Sequence, residues 1–216
     1  MTSQIKALFI DLESGPLPAD QIQHLMPEFK APANYKSEEA IKANIDAQRS
    51  KWLADAALSP ITGEILAVGL MTDTGTFSLI EGPEPEILTR TWKSIQEALW
   101  ANVPVIGWCI HHFDLPYLVK RSWRAGVAVP ACIRGGTNMR YWCESIMDLQ
   151  VYWQLGDNRA PASLDVVSKF LGLPGKNGDG AQFAETWRTN KPQAVEYLKN
   201  DLELTRQIYG RTLLSM

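Results

Sequence analysis

The chain has few cysteines, and their arrangement does not suit a disulfide framework. Among its 216 residues only Cys109, Cys132 and Cys143 carry thiols, an odd number with no Cys-x-x-Cys pair. This pattern argues against a disulfide-stapled secreted scaffold and against a thiolate zinc site. A reducing compartment is the simpler setting for such a chain, so we expect a cytoplasmic protein.

Long apolar runs are also missing. No stretch of the sequence approaches the roughly 20 apolar residues that a membrane-spanning helix needs. The apolar run within MTSQIKALFIDLES is too short for a signal peptide, and it ends in acids. We therefore expect a soluble protein with no membrane partner.

The chain has no excess of positive charge. Its formal net charge is −3, which provides no global attraction to nucleic acid, so a nucleic-acid partner would need a local basic patch. Apolar residues make up 45% of the sequence, enough for an ordinary core. The length suits one domain spanning residues 1–216, in which residues 14–58 form an irregular insertion and a helix.

Hydrophobic patterns predict an α/β protein. Buried strands are expected at residues 5–12 and in VPVIGW, and a hairpin joins residues 64–72 to TFSLIEG. Helical periodicity covers the ranges 37–58, 84–102, 114–126, 163–171 and 191–214. A first half rich in strands, followed by β–α units, indicates a mixed sheet with helices on its faces.

Two carboxylates stand one residue apart in FIDLES, where the first predicted strand leaves the core. Side chains at positions i and i+2 of a strand point to the same face, so Asp11 and Glu13 lie side by side. Carboxylate oxygens are the ligands that Mg²⁺ or Mn²⁺ prefers. Taken alone, two solvated acids at the end of a strand are the simpler interpretation.

A third acid follows the strand in VPVIGW. Asp114 begins a predicted helix, where it can act as an N-cap or share the end of the sheet at which FIDLES terminates. His111 and His112 precede it. Adjacent residues rarely converge on one ion, so we expect at least one imidazole to be a hydrogen-bonding group of the loop.

A fourth acid interrupts the apolar stripe of the last predicted helix. In EYLKNDLELT, Tyr197 and Asp201 are four residues apart and therefore share a helix face. Taken alone, a residue at the boundary of an amphipathic helix is the simpler interpretation of Asp201.

Together these segments resemble the three motifs of the DEDD superfamily of 3′–5′ exonucleases. FIDLES resembles the first motif, GWCIHHFDLPYLVKR the second and YLKND the third. The tyrosine four residues before the last Asp is typical of the tyrosine branch. Within that branch the sequence is similar to the proofreading domain of family-B DNA polymerases and to stand-alone predicted exonucleases related to it. FDLPYLVKR, SLDVVSKFLGLPGK and the DG of GDGAQF carry this similarity, which covers residues 5 to about 212.

The resemblance implies both a fold and a reaction. The fold is an RNase-H-like α/β fold, with a mixed five-stranded sheet and helices on both faces. The implied catalytic set holds two divalent cations, Mg²⁺ or Mn²⁺, on Asp11, Glu13, Asp114 and Asp201, while Tyr197 orients the attacking water. The implied reaction hydrolyses phosphodiester bonds at the 3′ end of single-stranded DNA and releases nucleoside 5′-monophosphates.

The sequence departs from the family pattern beside the second motif. The usual GYN is Gly107-Trp108-Cys109 here, and the Asn that often precedes Phe113 is His112. These positions help to hold the primer end. The departures therefore affect how tightly the substrate is bound and how fast it is hydrolysed, whereas the four acids are intact.

Holding a single-stranded 3′ end requires stacking surfaces and basic residues. The residues expected to contact nucleic acid are Leu12, Trp108, His112, Phe113 and Lys176. Further basic candidates are Lys120, Arg121, Arg124, Arg134 and Arg140. Core packing is at least as good an interpretation for Trp108 and Tyr117.

Other functions stay open at this point. The same chemistry could act on RNA, since the motifs do not reveal contacts to the 2′-hydroxyl. A catalytically idle nucleic-acid-binding module would have no need for four converging acids, and an unrelated carboxylate-metal hydrolase would act on small phosphoesters. The partner is either a separate polymerase or repair protein, or the nucleic acid alone.

Overall fold

The computed structural model describes residues 6–134, 145–157 and 162–213. Cys143 and Arg140 lie outside these ranges. Within the described residues the strands are β1 Leu8–Pro16, β2 Gly63–Thr72, β3 Phe77–Glu81, β4 Val105–Gly107 and β5 Ile146–Asp148. The α-helices are α1 Ala19–Ile22, α2 Glu38–Ala54, α3 Glu84–Trp100, α4 Asp114–Ala125, α5 Ala131–Arg134, α6 Leu149–Gln154, α7 Leu164–Phe170, α8 Phe183–Thr189 and α9 Lys191–Leu213. None of the described helices combines the length and the apolar character needed to cross a membrane.

The five strands form one mixed sheet in the order β3-β2-β1-β4-β5. β2 and β3 are antiparallel, whereas β4 runs parallel to both β1 and β5. Leu8 lies opposite Val105, and Gly107 lies opposite Asp148. Because β1, β4 and β5 are parallel, their carboxyl ends meet at one edge of the sheet. The predicted mixed five-stranded sheet is confirmed.

Helices cover both faces of this sheet. Successive side chains of a strand point to opposite faces, and β1 follows that rule. Ile10 and Leu12 pack in an apolar cluster with residues of α3 and α4. Phe9 packs in a separate cluster with residues of α7 and α9. Asp11 and Glu13 lie two and four residues after Phe9 on β1, so their side chains point to the same face as Phe9, towards α9.

Residues 14–64 form a compact unit of their own, and the rest of the described chain forms another. The smaller unit has its own apolar cluster of Leu17, Ile22 and Ala56, against which Trp52 packs. Its two ends are joined by a hydrogen bond of 2.9 Å from the Leu17 amide to the Thr62 carbonyl. The expectation of a single domain with an insertion stays a prediction.

Some of the observed elements differ from the predicted ones. β1 continues to Pro16 instead of ending at residue 12, and Glu13 and Gly15 in the added part are buried. Ser37 caps α2 as predicted, accepting the Ala40 amide at 3.2 Å, but no residue of α2 is buried. No helix is predicted between residues 171 and 191, but α8 forms there. It has only seven residues and follows a loop that contains Gly172, Gly175, Gly178 and Gly180, which we call the glycine-rich loop.

Candidate active site

Three of the predicted acids lie together at the carboxyl edge of the sheet. Asp11 and Glu13 come from β1 and Asp201 from α9, and each offers a carboxylate oxygen within 4.8 Å of the others. Glu13 is 8% exposed and Asp201 is 4% exposed. We call these three residues the acid cluster. Carboxylates that are desolvated and this close are unfavourable unless a positive charge compensates them.

The fourth predicted acid, Asp114, is buried at the start of α4 and is not part of the acid cluster. Its Oδ1 accepts the Leu12 amide at 2.9 Å. The interpretation of Asp114 as an N-cap is wrong, because Phe113 is the capping position and Asp114 is the first helical residue. Leu12 stands between the two acids of β1, so this hydrogen bond fixes the backbone that presents them.

Tyr197 lies one helical turn before Asp201 on the buried face of α9. It is 7% exposed, and its phenol lies beside the Asp201 carboxylate, which helps to raise the pKa of the phenol. The glycine-rich loop before α8 packs directly on its ring, since a Cβ added at Gly178 would lie 2.8 Å from Tyr197 Cδ2. A Cβ added at Gly180 would lie 3.3 Å from the phenol oxygen. The glycine-rich loop and α9 together therefore fix the position of this hydroxyl.

Lys176, in the glycine-rich loop, carries a positive charge that compensates the acid cluster in part. Its Nζ lies 2.5 Å from Asp201 Oδ2 and 4.9 Å from the centroid of the Tyr197 ring. Its backbone amide donates to Asp165 Oδ1 of α7 at 2.9 Å. We expected Lys176 to contact nucleic acid. In this structure its ammonium contacts the acid cluster.

Burial dominates the electrostatics of the site. It raises the pKa of Asp11 and of Glu13 well above their ordinary values, and the neighbouring carboxylates raise them further, while Lys176 lowers them. Burial likewise raises the pKa of Asp114 to about 7 and raises that of Asp201 against the effect of Lys176. Burial and then Asp201 raise the pKa of the Tyr197 phenol. The phenol is therefore a proton donor at neutral pH and not a base.

The residues present suit divalent cations. Asp201 Oδ1 is buried, and no group in the described chain hydrogen-bonds to it. A buried carboxylate oxygen without a partner is rare in folded proteins, and a bound cation would satisfy it. The other donors are also carboxylate oxygens, the ligands that Mg²⁺ and Mn²⁺ prefer. His111 is not among them, because its Nε2 lies 3.1 Å from the Ile146 carbonyl oxygen, in agreement with the expected loop role.

A fifth acid, Asp148, organises the loop between β4 and α4, and the sequence analysis missed it. Its Oδ1 accepts the Cys109 amide at 3.1 Å, and its Oδ2 accepts the His111 amide at 2.9 Å. The bond to Cys109 holds that residue at a φ of 61°, a left-handed conformation that Asn adopts more readily than Cys. The available signal was IMDL, a third short apolar strand ending in an acid.

Two residues expected to contact nucleic acid are buried instead. Leu12 is 3% exposed and packs in the core, so only its backbone amide takes part in the site. Arg121 is 2% exposed and pairs with Glu84, with Nε 2.8 Å from Oε1 and Nη2 2.5 Å from Oε2. Both side chains are buried for the same reason, since the faces of β1 and α4 that carry these residues pack against α3. Their contact with nucleic acid stays a prediction.

The other candidates lie nearer the surface. His112 is exposed, and Trp108 and Phe113 are half-buried. The ring centroid of Phe113 lies 5.5 Å from that of Tyr117, which is itself in the core as the packing interpretation predicts. Trp108 packs at the edge of the cluster that contains Phe9. These three side chains remain candidates for contact with nucleic acid.

Comparison with known protein families gives one match. The model of a family described as "Predicted 3′–5′ exonuclease related to the exonuclease domain of PolB" matches residues 63–215. That range includes Asp114, Lys176, Tyr197 and Asp201, whereas Asp11 and Glu13 precede it. No curated protein matches the sequence.

A solved structure shows the fold. The family B DNA polymerase from the hyperthermophilic archaeon Pyrobaculum calidifontis matches with a TM-score of 0.60 at 15% sequence identity. The match covers 98% of this chain and 25% of that polymerase chain. The mixed sheet with helices is thus the RNase-H-like fold of a polymerase exonuclease domain. The chain belongs to the family of predicted 3′–5′ exonucleases related to the exonuclease domain of PolB.

Proposed function

We propose that the chain is a metal-dependent 3′–5′ exonuclease of the tyrosine branch, acting on single-stranded DNA. The observation that carries this proposal is the acid cluster. In it two buried carboxylates and the half-buried Asp11 converge, and one Asp201 oxygen has no hydrogen-bond partner among the described residues. Membership of a family of predicted 3′–5′ exonucleases supports the polarity of attack. The product is a nucleoside 5′-monophosphate, released from the 3′ end.

Asp11, Glu13 and Asp201 would hold one divalent cation, Mg²⁺ or Mn²⁺, and Asp11 with Asp114 would hold a second. Such cations lower the pKa of water and stabilise the charge that develops on phosphoryl and leaving oxygens. Asp114 also keeps β1 in place through the Leu12 amide, so its removal would disturb both acids of β1.

Tyr197 would orient the attacking water. Its phenol stays protonated because burial and Asp201 raise its pKa, so it can donate a hydrogen bond but cannot abstract a proton. The glycine-rich loop packs on the ring, and the phenol lies beside the Asp201 carboxylate. Lys176 would supply positive charge beside the substrate phosphate, and the exposed His112, with Trp108 and Phe113, would contact the terminal nucleotide.

A substrate panel tests this proposal. With Mn²⁺, we expect single-stranded DNA labelled at its 5′ end to shorten stepwise from the 3′ end and to release nucleoside 5′-monophosphates. Chelator should stop the reaction. Intact DNA under all metal conditions would contradict the proposal.

The same panel separates the alternatives. An RNA of the same sequence that is degraded faster than DNA would indicate an exoribonuclease. Activity confined to a small phosphodiester would indicate a different hydrolase. A mismatched duplex that is trimmed at its 3′ end would support proofreading beside a separate polymerase or repair protein.

A further inference from the structure

The backbone holds Lys176 in position at the acid cluster. Its amide is anchored on Asp165 of α7, and Gly175, which precedes it, passes so close that an added Cβ would lie 2.6 Å from Asp165 Oδ1. Two residues later Gly178 packs on the Tyr197 ring. The loop is thus fixed on both sides of Lys176, and this geometry directs the side chain to Asp201.

The contact uses the oxygen next to the one that lacks a partner. Lys176 Nζ pairs with Asp201 Oδ2, while Asp201 Oδ1 is buried without a hydrogen bond. One ammonium therefore faces a cluster of three carboxylates and only partly compensates it. A divalent cation bound by Asp201 would come within a few ångströms of a like charge.

Lys176 is able to leave this position. A lysine ammonium is a compact charge on a flexible four-carbon stem, and the Lys176 side chain is 26% exposed, so solvent reaches it. Its other neighbour, the face of the Tyr197 ring, makes a weaker contact than the carboxylate does.

We propose that Lys176 is the resident counter-ion of the acid cluster and competes with a divalent cation for Asp201. The inference rests on the proposed metal site and adds that this chain sets the affinity of the site with its own lysine. Cation binding displaces the ammonium from Asp201 Oδ2, and loss of the cation lets it return. Lys176 thereby stabilises the metal-free protein and weakens metal binding.

Calorimetric titration with Mn²⁺ in the absence of substrate tests the proposal. Lys176→Gln should bind Mn²⁺ roughly tenfold more tightly than the wild type, equivalent to about 1.4 kcal/mol. Lys176→Arg keeps the charge and should bind close to the wild type. Lys199→Gln is the matched control, because it removes the same charge from an exposed position on α9 and should leave the affinity unchanged.

Thermal unfolding in chelator gives a second readout. Lys176→Gln should melt at a lower temperature than the wild type and than Lys199→Gln, because the acid cluster loses its counter-ion. Mn²⁺ should then raise its melting temperature by more than it raises that of the wild type. If Lys176→Gln does not fold, Asp165→Ala removes the backbone anchor on the surface and should also tighten Mn²⁺ binding.

The outcomes separate this inference from the proposed function. If the wild type binds Mn²⁺ and Lys176→Gln binds it equally or more weakly, the counter-ion inference is overturned and the metal site stands. If neither the wild type nor Lys176→Gln binds Mn²⁺, the metal site itself fails, and this inference fails with it.

Discussion

At the scale of single residues, the site is built from charges that burial makes unfavourable. Glu13 is 8% exposed, and its pKa is raised by burial first and by Asp11 and Asp201 next. A carboxylate whose folded-state pKa exceeds its unfolded value of 4.5 lowers the stability of the folded protein at neutral pH. Such residues persist where function requires them, as expected of a metal ligand.

Glu13→Gln should therefore stabilise the metal-free protein while reducing nuclease activity. In chelator at pH 8 we expect a gain of about 1 kcal/mol, or roughly 2–4 °C in melting temperature. The gain is largest above the folded-state pKa of Glu13 and disappears at low pH, where the wild-type carboxyl is protonated as well. A variant that melts below the wild type at pH 8 would show that Glu13 has a stabilising partner.

The two carboxylate oxygens of Asp201, on α9, have different surroundings. Its Oδ2 pairs with the Lys176 ammonium, whereas its buried Oδ1 has no hydrogen-bond partner among the described residues. A residue with a purely structural role would have all its polar atoms satisfied, as Asp148 illustrates with bonds to both oxygens. The contrast between these two buried acids separates a candidate ligand from a structural group.

At the scale of elements, the glycine-rich loop is shaped to fit α9. Gly178→Ala would place a methyl group 2.8 Å from Tyr197 Cδ2, so the loop or the ring must move. We expect this overpacking to lower the free energy of unfolding by about 1–3 kcal/mol, measured by thermal unfolding. Nuclease activity should fall by a larger fraction than the amount of folded protein does.

Gly210→Ala is the matched control for this prediction. Gly210 lies on α9, the helix that carries Tyr197, and an added Cβ there meets no atom of the described side chains within 4 Å. The substitution should raise stability by about 0.5–1 kcal/mol through helix propensity and leave activity unchanged. If Gly178→Ala were as active as Gly210→Ala, close packing of the loop on Tyr197 would not matter for the reaction.

The loop between β4 and α4 depends on Asp148 in a similar way. Its carboxylate accepts four backbone amides, those of Cys109, His111, Gln150 and Val151. Asp148→Ala should reduce the unfolding free energy by at least about 2 kcal/mol, because these buried donors lose a charged acceptor.

Denaturant unfolding measures the effect of Asp148→Ala. Asp73→Ala serves as the comparison, since Asp73 accepts one exposed amide, that of Lys6, at 3.0 Å. Asp148→Ala should be much the more destabilising of the two. Equal effects would mean that the loop holds its shape without the carboxylate.

At the scale of the whole molecule, residues 14–64 and the remainder of the described chain have separate apolar clusters. The acid cluster, Asp114, Lys176 and Tyr197 all belong to the larger unit. Because the Leu17 amide and the Thr62 carbonyl are hydrogen-bonded, residues 18–61 can be replaced by a short turn without stretching the chain. The shortened protein should unfold cooperatively and bind Mn²⁺ with wild-type affinity. Loss of the cooperative transition would show that the smaller unit is needed for folding.

The sequence predicts most of the strands and helices, because periodicity is a local property, and its resemblance to a known family implies the mixed five-stranded sheet. It predicts the pairing of side chains poorly. Arg121 was expected at a surface and is buried against Glu84, and Lys176 was expected on substrate and contacts Asp201. Such pairings depend on which elements pack together, and no spacing within a single segment encodes them. Asp148 was missed for the same reason, since two of its four partners, the amides of Cys109 and His111, lie in another loop.

The most direct test of the account is whether Asp11 is required for shortening of single-stranded DNA from its 3′ end. With Mn²⁺ and DNA labelled at its 5′ end, Asp11→Asn should reduce the rate at least about a hundredfold, or roughly 2.7 kcal/mol, and should remain folded. Glu97→Gln, an exposed acid on α3, should retain the wild-type rate. An Asp11→Asn protein that shortens DNA as fast as the wild type would contradict the assignment of the acid cluster as the active site.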